Sequence, residues 1–169
     1  LVSGGASALW IDYPPGSGLA DMQKTFLALL HSGADIAEIN TIRKHLSGIK
    51  GGQLVRHAPL CNWISLIISD VPGDDLAVIA SGPAFPDSSS FRDAWDIIEK
   101  YQLEQKIPDT ITRHLKNGLA GLVPETPGED DEIFSRVQHS IIGNNRMALL
   151  AAKDKAVSLG YSVQAVDEQ

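Results

Sequence analysis

The sequence has one cysteine, no long apolar run and no excess of basic residues. The single cysteine, Cys61, cannot form an intramolecular disulfide, which is typical of a protein from a reducing compartment. No apolar stretch approaches the ~20 residues that a membrane-spanning helix needs. No charged segment precedes an apolar one as in a secretion signal. We therefore expect a cytoplasmic protein with no membrane contact.

Basic residues are also too few for a nucleic-acid-binding surface. The 14 Lys and Arg residues are outnumbered by 21 Asp and Glu residues, which gives a formal net charge of −7 at pH 7. A protein that wraps nucleic acid neutralises its phosphates with clustered Lys and Arg. We therefore expect no nucleic-acid partner.

What is present suits one α/β unit. The chain has 169 residues, of which 43% are apolar and 21% charged, enough for a sizeable core. Apolar runs rich in β-branched residues alternate with helical periodicities in the order β-α-α-β-α-α-β-α-β. Because strands separated by helices are typical of parallel βαβ units, we predict an α/β layered fold with a mostly parallel sheet and helices on both faces.

Local signals place the main elements. Asp35 and Glu38 have capping-box spacing at a helix start, and Gly33 and Gly160 follow apolar helical stripes as helix ends. Residues 63–69 form an apolar run, which predicts a strand covered on both faces. Residues 161–166 are predicted as a last strand. Residues 124–132 contain two prolines and five carboxylates, which predicts an exposed acidic loop.

Ligands of open parallel sheets bind beyond the carboxyl ends of the strands. The opening turn, Ser3-Gly4-Gly5-Ala6-Ser7, can present backbone N–H groups and hydroxyls to a phosphate. Two adjacent glycines are equally consistent with a simple tight turn. The turn matches neither the Walker A pattern nor the dinucleotide-binding pattern.

Asp70 is the sharpest single candidate because it ends the most apolar strand. A carboxylate in that place is expected to be rigid and partly desolvated, which raises its pKa towards that of a general base. Asp74 and Asp75 follow closely. One of the three carboxylates is a candidate contact for Mg²⁺, although Asp74 and Asp75 also suit a simple turn cap. The sequence does not decide which residues hold the metal ion.

Positive charge is concentrated between residues 43 and 52. Arg43, Lys44 and Lys50 adjoin the Gly51-Gly52 pair. Arginine offers a bidentate fork and lysine a point charge to a carboxylate or phosphate. The alternative is that these basic side chains form a solvated helix face. The adjoining flexible glycines favour contact with a ligand.

Taken in order, these segments resemble the glycerate 2-kinase family, whose members are also labelled hydroxypyruvate reductases. The resemblance runs over essentially the whole chain, and residues 38–52 carry its most specific part. The segments that carry it are residues 3–7, 38–47, 50–52, 69–75, 78–83 and 142–145.

The resemblance implies transfer of the γ-phosphoryl group of ATP, with Mg²⁺, to the 2-hydroxyl of D-glycerate, which gives 2-phosphoglycerate and ADP. It also implies that residues 1–169 are part of the Rossmann-like N-terminal domain of a two-domain protein. The chain begins at Leu1 and ends at Gln169 beside predicted strands, so we expect it to be truncated at both ends and to lack the C-terminal domain. Such a fragment is not expected to turn over alone.

The resemblance also assigns roles to residues. Asp70 is expected to orient or deprotonate the glycerate hydroxyl, close to the opening turn and in the same cleft. Arg43, Lys44 and Asp74 are expected to contact glycerate, although which basic residue faces glycerate and which faces ATP stays open. The residues expected to contact the nucleotide are Ser3, Gly4, Gly5, Ser7, Lys50, Gly51 and Asn144. The alternative for the first four is that they hold the acceptor's own oxygens.

Two other functions compete with the kinase. Reduction of hydroxypyruvate by NAD(P)H would need a dinucleotide fingerprint and an acidic partner for the ribose, and the sequence shows neither. A ligand-binding fragment without catalysis is the second alternative. The sequence does not predict an oligomeric state.

Overall fold

The computed structural model describes residues 6–164 and residue 166. Two strands, β1 (Trp63–Ile68) and β2 (Val137–Gly143), pair in parallel with Trp63 opposite Val137. The predicted strand at Leu1 lies outside the described residues. The helices are α1 (Ala6–Leu9), α2 (Leu19–Ser32), α3 (Ile36–His45), α4 (Gln53–Arg56), α5 (Phe91–Lys100), α6 (Asp109–Leu119) and α7 (Asn145–Ser158).

The predicted helix ends are confirmed. Asp35 accepts a hydrogen bond from the Glu38 N–H at 2.9 Å, and Glu38 accepts one from the Asp35 N–H at 3.0 Å. This reciprocal capping box satisfies backbone donors that a helix start otherwise leaves free. α2 ends at Gly33, whose φ is 81°, and Gly160 after α7 has a φ of 86°. Both angles are left-handed, which glycine adopts at low cost.

Helices α2, α3, α5 and α6 enclose one hydrophobic core. Apolar residues three, four or seven positions apart share a helix face, and on α3 Ile39, Ile42 and Leu46 are all buried. The side chains that are almost fully enclosed in this helical core are Leu29, Ile42, Leu46, Ile98, Leu103, Ile111 and Leu115. This core supports α3, which carries several of the predicted site residues.

The sheet is exposed on one face within the described part of the chain. Residues of β1 alternate between half-buried and exposed, and Ile64, Leu66 and Ile68 are 71%, 44% and 39% exposed. Burial of this strand on both faces is therefore wrong for the described residues. An apolar run indicates that a strand is able to be buried, but burial requires a packing partner on each side.

The C-terminal part differs from the prediction as well. Residues 161–164 have no strand structure, because no described segment pairs with them. Helix α7 forms as predicted but buries none of its residues. Within the described ranges, no helix is both long and apolar enough to cross a bilayer.

The acidic segment 124–132 is attached to the fold rather than fully exposed. Thr126 and Pro127 are buried. The Asp87 N–H donates to the Pro127 carbonyl at 2.9 Å, and Arg56 donates to the Glu125 carbonyl at 2.6 Å. The prediction of an exposed loop is wrong for the centre of this segment, because main-chain contacts hold it and the Glu125 carboxylate accepts a hydrogen bond from the Phe91 N–H at 3.0 Å.

Candidate functional site

A cavity of about 190 Å³ lies where α1, α3 and the end of β1 meet. Ser7 of α1, Asn40 and Arg43 of α3, and Asp70 after β1 all line it. We call it the Asp70 cavity. The strand-end carboxylate and the last residue of the opening turn therefore share one cleft. Ser3, Gly4 and Gly5, also expected to contact the nucleotide, lie outside the described residues.

Asp70 occupies an exposed position at this cavity. The preceding residue, Ser69, is buried, and the alternation of the strand turns the next side chain outwards. The expectation of a partly desolvated carboxylate is therefore wrong. A reaction at Asp70 would rely on its position beside the cavity rather than on burial.

A hydrogen-bonded network of side chains connects the two sides of the cavity. The buried Ser81 hydroxyl lies 3.4 Å from the Ser7 hydroxyl and 3.3 Å from the Asn40 amide oxygen. The same amide oxygen accepts a hydrogen bond from the Arg43 guanidinium at 3.2 Å. Asn40 and Ser81 are not among the site residues predicted from the sequence, although both lie in segments that carry the family resemblance.

The backbone at Ser81 is strained. Ala80, Ser81 and Gly82 have φ angles of 55°, 61° and 60°, and a left-handed conformation costs a non-glycine residue roughly 1 kcal/mol or more. Two main-chain bonds hold the segment in place. The Gly51 N–H donates to the Ser81 carbonyl at 2.9 Å and the Gly52 N–H to the Gly82 carbonyl at 2.7 Å.

Gly51 therefore has no N–H available to a nucleotide. Its φ of 55° and the Gly52 φ of 75° are left-handed, and a Cβ on Gly52 would lie 2.6 Å from the Phe134 ring. Conformation and close packing explain the glycine pair. The predicted nucleotide contact at Gly51 has no free backbone donor to make it.

Lys44 is committed to a buried ion pair. Its ammonium lies 3.0 Å from Asp87, whose side chain is fully enclosed. Burial alone would raise the pKa of Asp87, but hydrogen bonds from Ser89 and the charge of Lys44 outweigh burial and lower it. Lys44 is absent from the described lining of the Asp70 cavity, so its position favours a structural role over glycerate contact.

Lys50 is buried and lacks a bonded counter-charge. The residue is 3% exposed, and its ammonium has no hydrogen-bond partner among the described residues. Burial and the positive charge of Arg43 lower the pKa of Lys50 to about 8, against an opposing effect of Asp12. A buried cation without a described hydrogen-bond partner thus follows the helix that carries Arg43.

Asp74 and Asn144 meet at the ends of the two paired strands. The Asn144 side-chain amide donates to Asp74 at 2.6 Å. The amide oxygen of Asn144 caps α7 by accepting from the Met147 N–H at 2.8 Å. Neither residue belongs to the described lining of the Asp70 cavity. Within the described ranges, no group of three His, Cys, Asp or Glu residues is placed to hold a metal ion.

Comparison with known proteins adds a family to this geometry. Residues 1–116 match the family described as a domain of unknown function, DUF4147. The chain belongs to this family. It is similar to the glycerate 2-kinase of Pyrococcus horikoshii, with 43% identity over 161 residues, or 95% of this chain and 36% of that protein. The D-glycerate 2-kinase of Thermotoga maritima is 40% identical over 166 residues, or 98% of this chain and 37% of that protein.

The DUF4147 chain also has a similar solved structure. The crystal structure of a Thermotoga maritima glycerate kinase matches it with a TM-score of 0.80 and 39% identity, over 96% of this chain and 36% of that one. The α/β fold with a parallel sheet and the resemblance to glycerate kinases are therefore confirmed. The chain spans little more than a third of these relatives, about 36% of the solved one.

Proposed function

We propose that this DUF4147 chain belongs to a glycerate 2-kinase and provides the place where the acceptor alcohol reacts. The reaction transfers the γ-phosphoryl group of ATP to the 2-hydroxyl of D-glycerate. The observation that carries the proposal is the Asp70 cavity, in which a carboxylate, a hydroxyl and a guanidinium share about 190 Å³. The names of the similar kinases support the same reaction.

Asp70 acts on the acceptor hydroxyl in this proposal. As the hydroxyl oxygen forms a bond to the γ-phosphorus of ATP, the bond from that phosphorus to ADP breaks and Asp70 takes the hydroxyl proton. Phosphoryl transfer depends mainly on positioning and on neutralising phosphate charge. An exposed carboxylate at a rigid strand end meets the first requirement.

The nucleotide approaches from the ends of the two strands. Ser7 at the Asp70 cavity and Asn144 beside Asp74 remain the proposed contacts for ATP among the described residues. Mg²⁺ enters as part of the Mg–ATP substrate. Because Mg²⁺ is usually held by one or two carboxylates together with substrate phosphates, Asp74 is the proposed protein contact.

The test of this function is Asp70→Asn in the full-length gene product. We expect kcat for ADP formation from ATP and D-glycerate to fall by more than ~100-fold, the usual contribution of a general base. The control is Asp75→Asn, because Asp75 is exposed and, among the described residues, its carboxylate accepts a hydrogen bond only from the Ala77 N–H of its own turn. This control is expected to keep near-normal activity. A near-normal rate for Asp70→Asn would contradict the role of Asp70.

A parallel assay separates the kinase from a reductase. When NAD replaces ATP in the mixture with D-glycerate, we expect no absorbance change at the nicotinamide band. Nicotinamide reduction that depends on glycerate would refute the kinase assignment.

A further inference from the structure

One cation and one amide line the α3 side of the Asp70 cavity, and a second, buried cation follows α3 in sequence. Arg43 and Asn40 line the cavity, and their side chains are bonded to each other at 3.2 Å. Lys50 follows α3 outside the described lining of the cavity. The N–H of the next residue, Gly51, donates to the carbonyl of Ser81, whose hydroxyl lies 3.3 Å from the Asn40 amide oxygen. Side-chain and main-chain bonds through Ser81 therefore connect the three residues into one local group of hydrogen-bond donors.

Most of the donors in this group are unused. Both hydrogen bonds of the Asn40 side chain involve its oxygen, so its two N–H donors are uncommitted within the described chain. The only described hydrogen bond of the Arg43 guanidinium goes to Asn40. The Lys50 ammonium has no acceptor among the described residues, and a buried charge without a partner is unfavourable.

Asp12, the nearby acid, does not complete the group. Its two carboxylate oxygens accept hydrogen bonds from the Ser47 hydroxyl and the Gly48 N–H. It influences Lys50 through space, without a described hydrogen bond to it. The arrangement is therefore rich in donors and positive charge, which suits a small anion.

We infer that Asn40, Arg43 and Lys50 bind the carboxylate of the acceptor acid. The inference rests on the proposed kinase function. Lys50, predicted from the sequence to contact the nucleotide, contacts the acceptor instead. Asn40 joins the site, and Lys44 stays in its ion pair with Asp87. In this arrangement Ser81 is a positioning residue. Its hydroxyl lies 3.3 Å from the Asn40 amide oxygen, so the two N–H donors of that amide are on the side away from Ser81.

Size and connectivity favour the acid over the nucleotide as occupant. The cavity measures about 190 Å³, whereas sites for larger ligands usually measure about 300 to 1,000 Å³. A three-carbon acid fits such a space and a nucleoside triphosphate does not. In a 2-hydroxy acid, the hydroxyl and the carboxylate are attached to the same carbon. A hydroxyl that faces Asp70 therefore places the carboxylate within reach of Arg43, on the same small cavity.

The test measures binding by calorimetry in the full-length gene product. D-glycerate, glycerol, inorganic phosphate and ADP are titrated separately into the wild type and into Arg43→Gln, Asn40→Asp and Lys50→Met. We expect glycerate affinity to fall by ~10- to 100-fold in each variant, as for the loss of hydrogen bonds to a charged group. ADP affinity is expected to stay within ~3-fold, and glycerol, which lacks the carboxylate, is expected to bind far more weakly than glycerate.

Lys24→Gln is the matched control, because Lys24 is an exposed cation on α2 and its loss changes net charge without touching the Asp70 cavity. Thermal unfolding of each variant identifies any that do not fold, and Lys50→Arg serves as a second variant that keeps the charge. Loss of ADP affinity with unchanged glycerate affinity would overturn the inference. Inorganic phosphate binding more tightly than glycerate would also overturn it.

A pH series gives a readout that a purely structural role would not move. Burial and the charge of Arg43, against the opposing charge of Asp12, lower the pKa of Lys50 to about 8, so its ammonium loses its proton above about that pH. Glycerate affinity should therefore decrease above that pH, by up to about tenfold per pH unit. Lys50→Arg, which stays charged, should remove this decrease. An identical pH profile in both proteins would contradict a role for Lys50.

The failure of this inference is distinct from the failure of the kinase proposal. If no ADP forms but glycerate still binds through Arg43 and Lys50, the reaction is wrong and the carboxylate site stands. If ADP forms and Arg43→Gln leaves glycerate affinity unchanged, the reaction stands and the carboxylate site is wrong.

Discussion

The helical core and the sheet with α7 use the same kinds of side chain in different surroundings. Leu115 of α6 is 0% exposed, whereas Leu150 of α7 is 48% exposed and Ile64 of β1 is 71% exposed. Both regions have the periodicities that form helices and strands. The difference shows that periodicity creates an element, while its burial depends on what other segments supply.

The candidate site lies on the boundary between these two regions. Its donors, Asn40 and Arg43, are on α3, which the helical core supports, and its carboxylate, Asp70, follows the more exposed β1. We therefore expect substitutions on the α3 side to affect stability and binding together. Substitutions at Asp70 should affect the reaction with little loss of stability.

The largest effect on stability is expected at the ion pair that anchors α3. Asp87→Ala leaves the Lys44 ammonium buried without its partner, which should lower the free energy of unfolding by about 4 to 5 kcal/mol. Urea unfolding of the full-length gene product measures it. The control is Asp96→Ala, which removes an exposed partner of Arg92 at 3.9 Å and should cost less than about 1 kcal/mol. Equal costs for the two variants would contradict the buried ion pair.

A second pair of variants tests the two regions directly. Leu115→Ala opens a cavity in the helical core and should cost about 3 to 4 kcal/mol. Leu150→Ala removes the same atoms from a half-exposed side chain of α7, and should cost less than about 1 kcal/mol. Thermal and urea unfolding of both variants gives the comparison. A large cost at Leu150 would show that other segments of the whole protein bury α7.

The smallest effect, of opposite sign, is expected at Lys50. Its pKa is lowered from 10.5 to about 8, so the folded protein disfavours the ammonium, and Lys50→Met should raise the stability at neutral pH by at most about 3 kcal/mol. The unfolded chain binds this proton more tightly. The gain should therefore be complete below about pH 8 and disappear as the pH rises towards 10.5. A constant difference across that range would contradict burial of a charged Lys50.

Local signals predict the elements of this fold well. The capping box at Asp35 and the left-handed glycines follow from residues close in sequence, and the parallel pairing of β1 with β2 follows from the order of strands and helices along the chain. The last predicted strand is not formed and the acidic segment is partly buried, because both outcomes depend on partners far along the chain. Composition does not show which groups of the acidic segment find hydrogen-bond partners elsewhere in the fold.

The candidate site was predictable in location more than in detail. Asp70 and Ser7 share a cavity, as strand ends and turns of parallel sheets favour. The different fates of Lys44 and Lys50 were not predictable, because Lys44 finds its acid 43 residues away. The exposure of Asp70 was missed because β1 was expected to be buried on both faces, whereas Asp70 continues the face of β1 that is exposed within the described residues.

The main-chain bonds between Gly51–Gly52 and Ser81–Gly82 have a consequence for how this protein can change over time. They fix the spacing between the segment that carries Lys50 and the segment that carries Ser81 without using either side chain. Other side chains at positions 50 and 81 would therefore extend from main-chain segments whose spacing is unchanged. Those two residues can therefore be exchanged without moving the segments that carry them, provided that the glycines are kept.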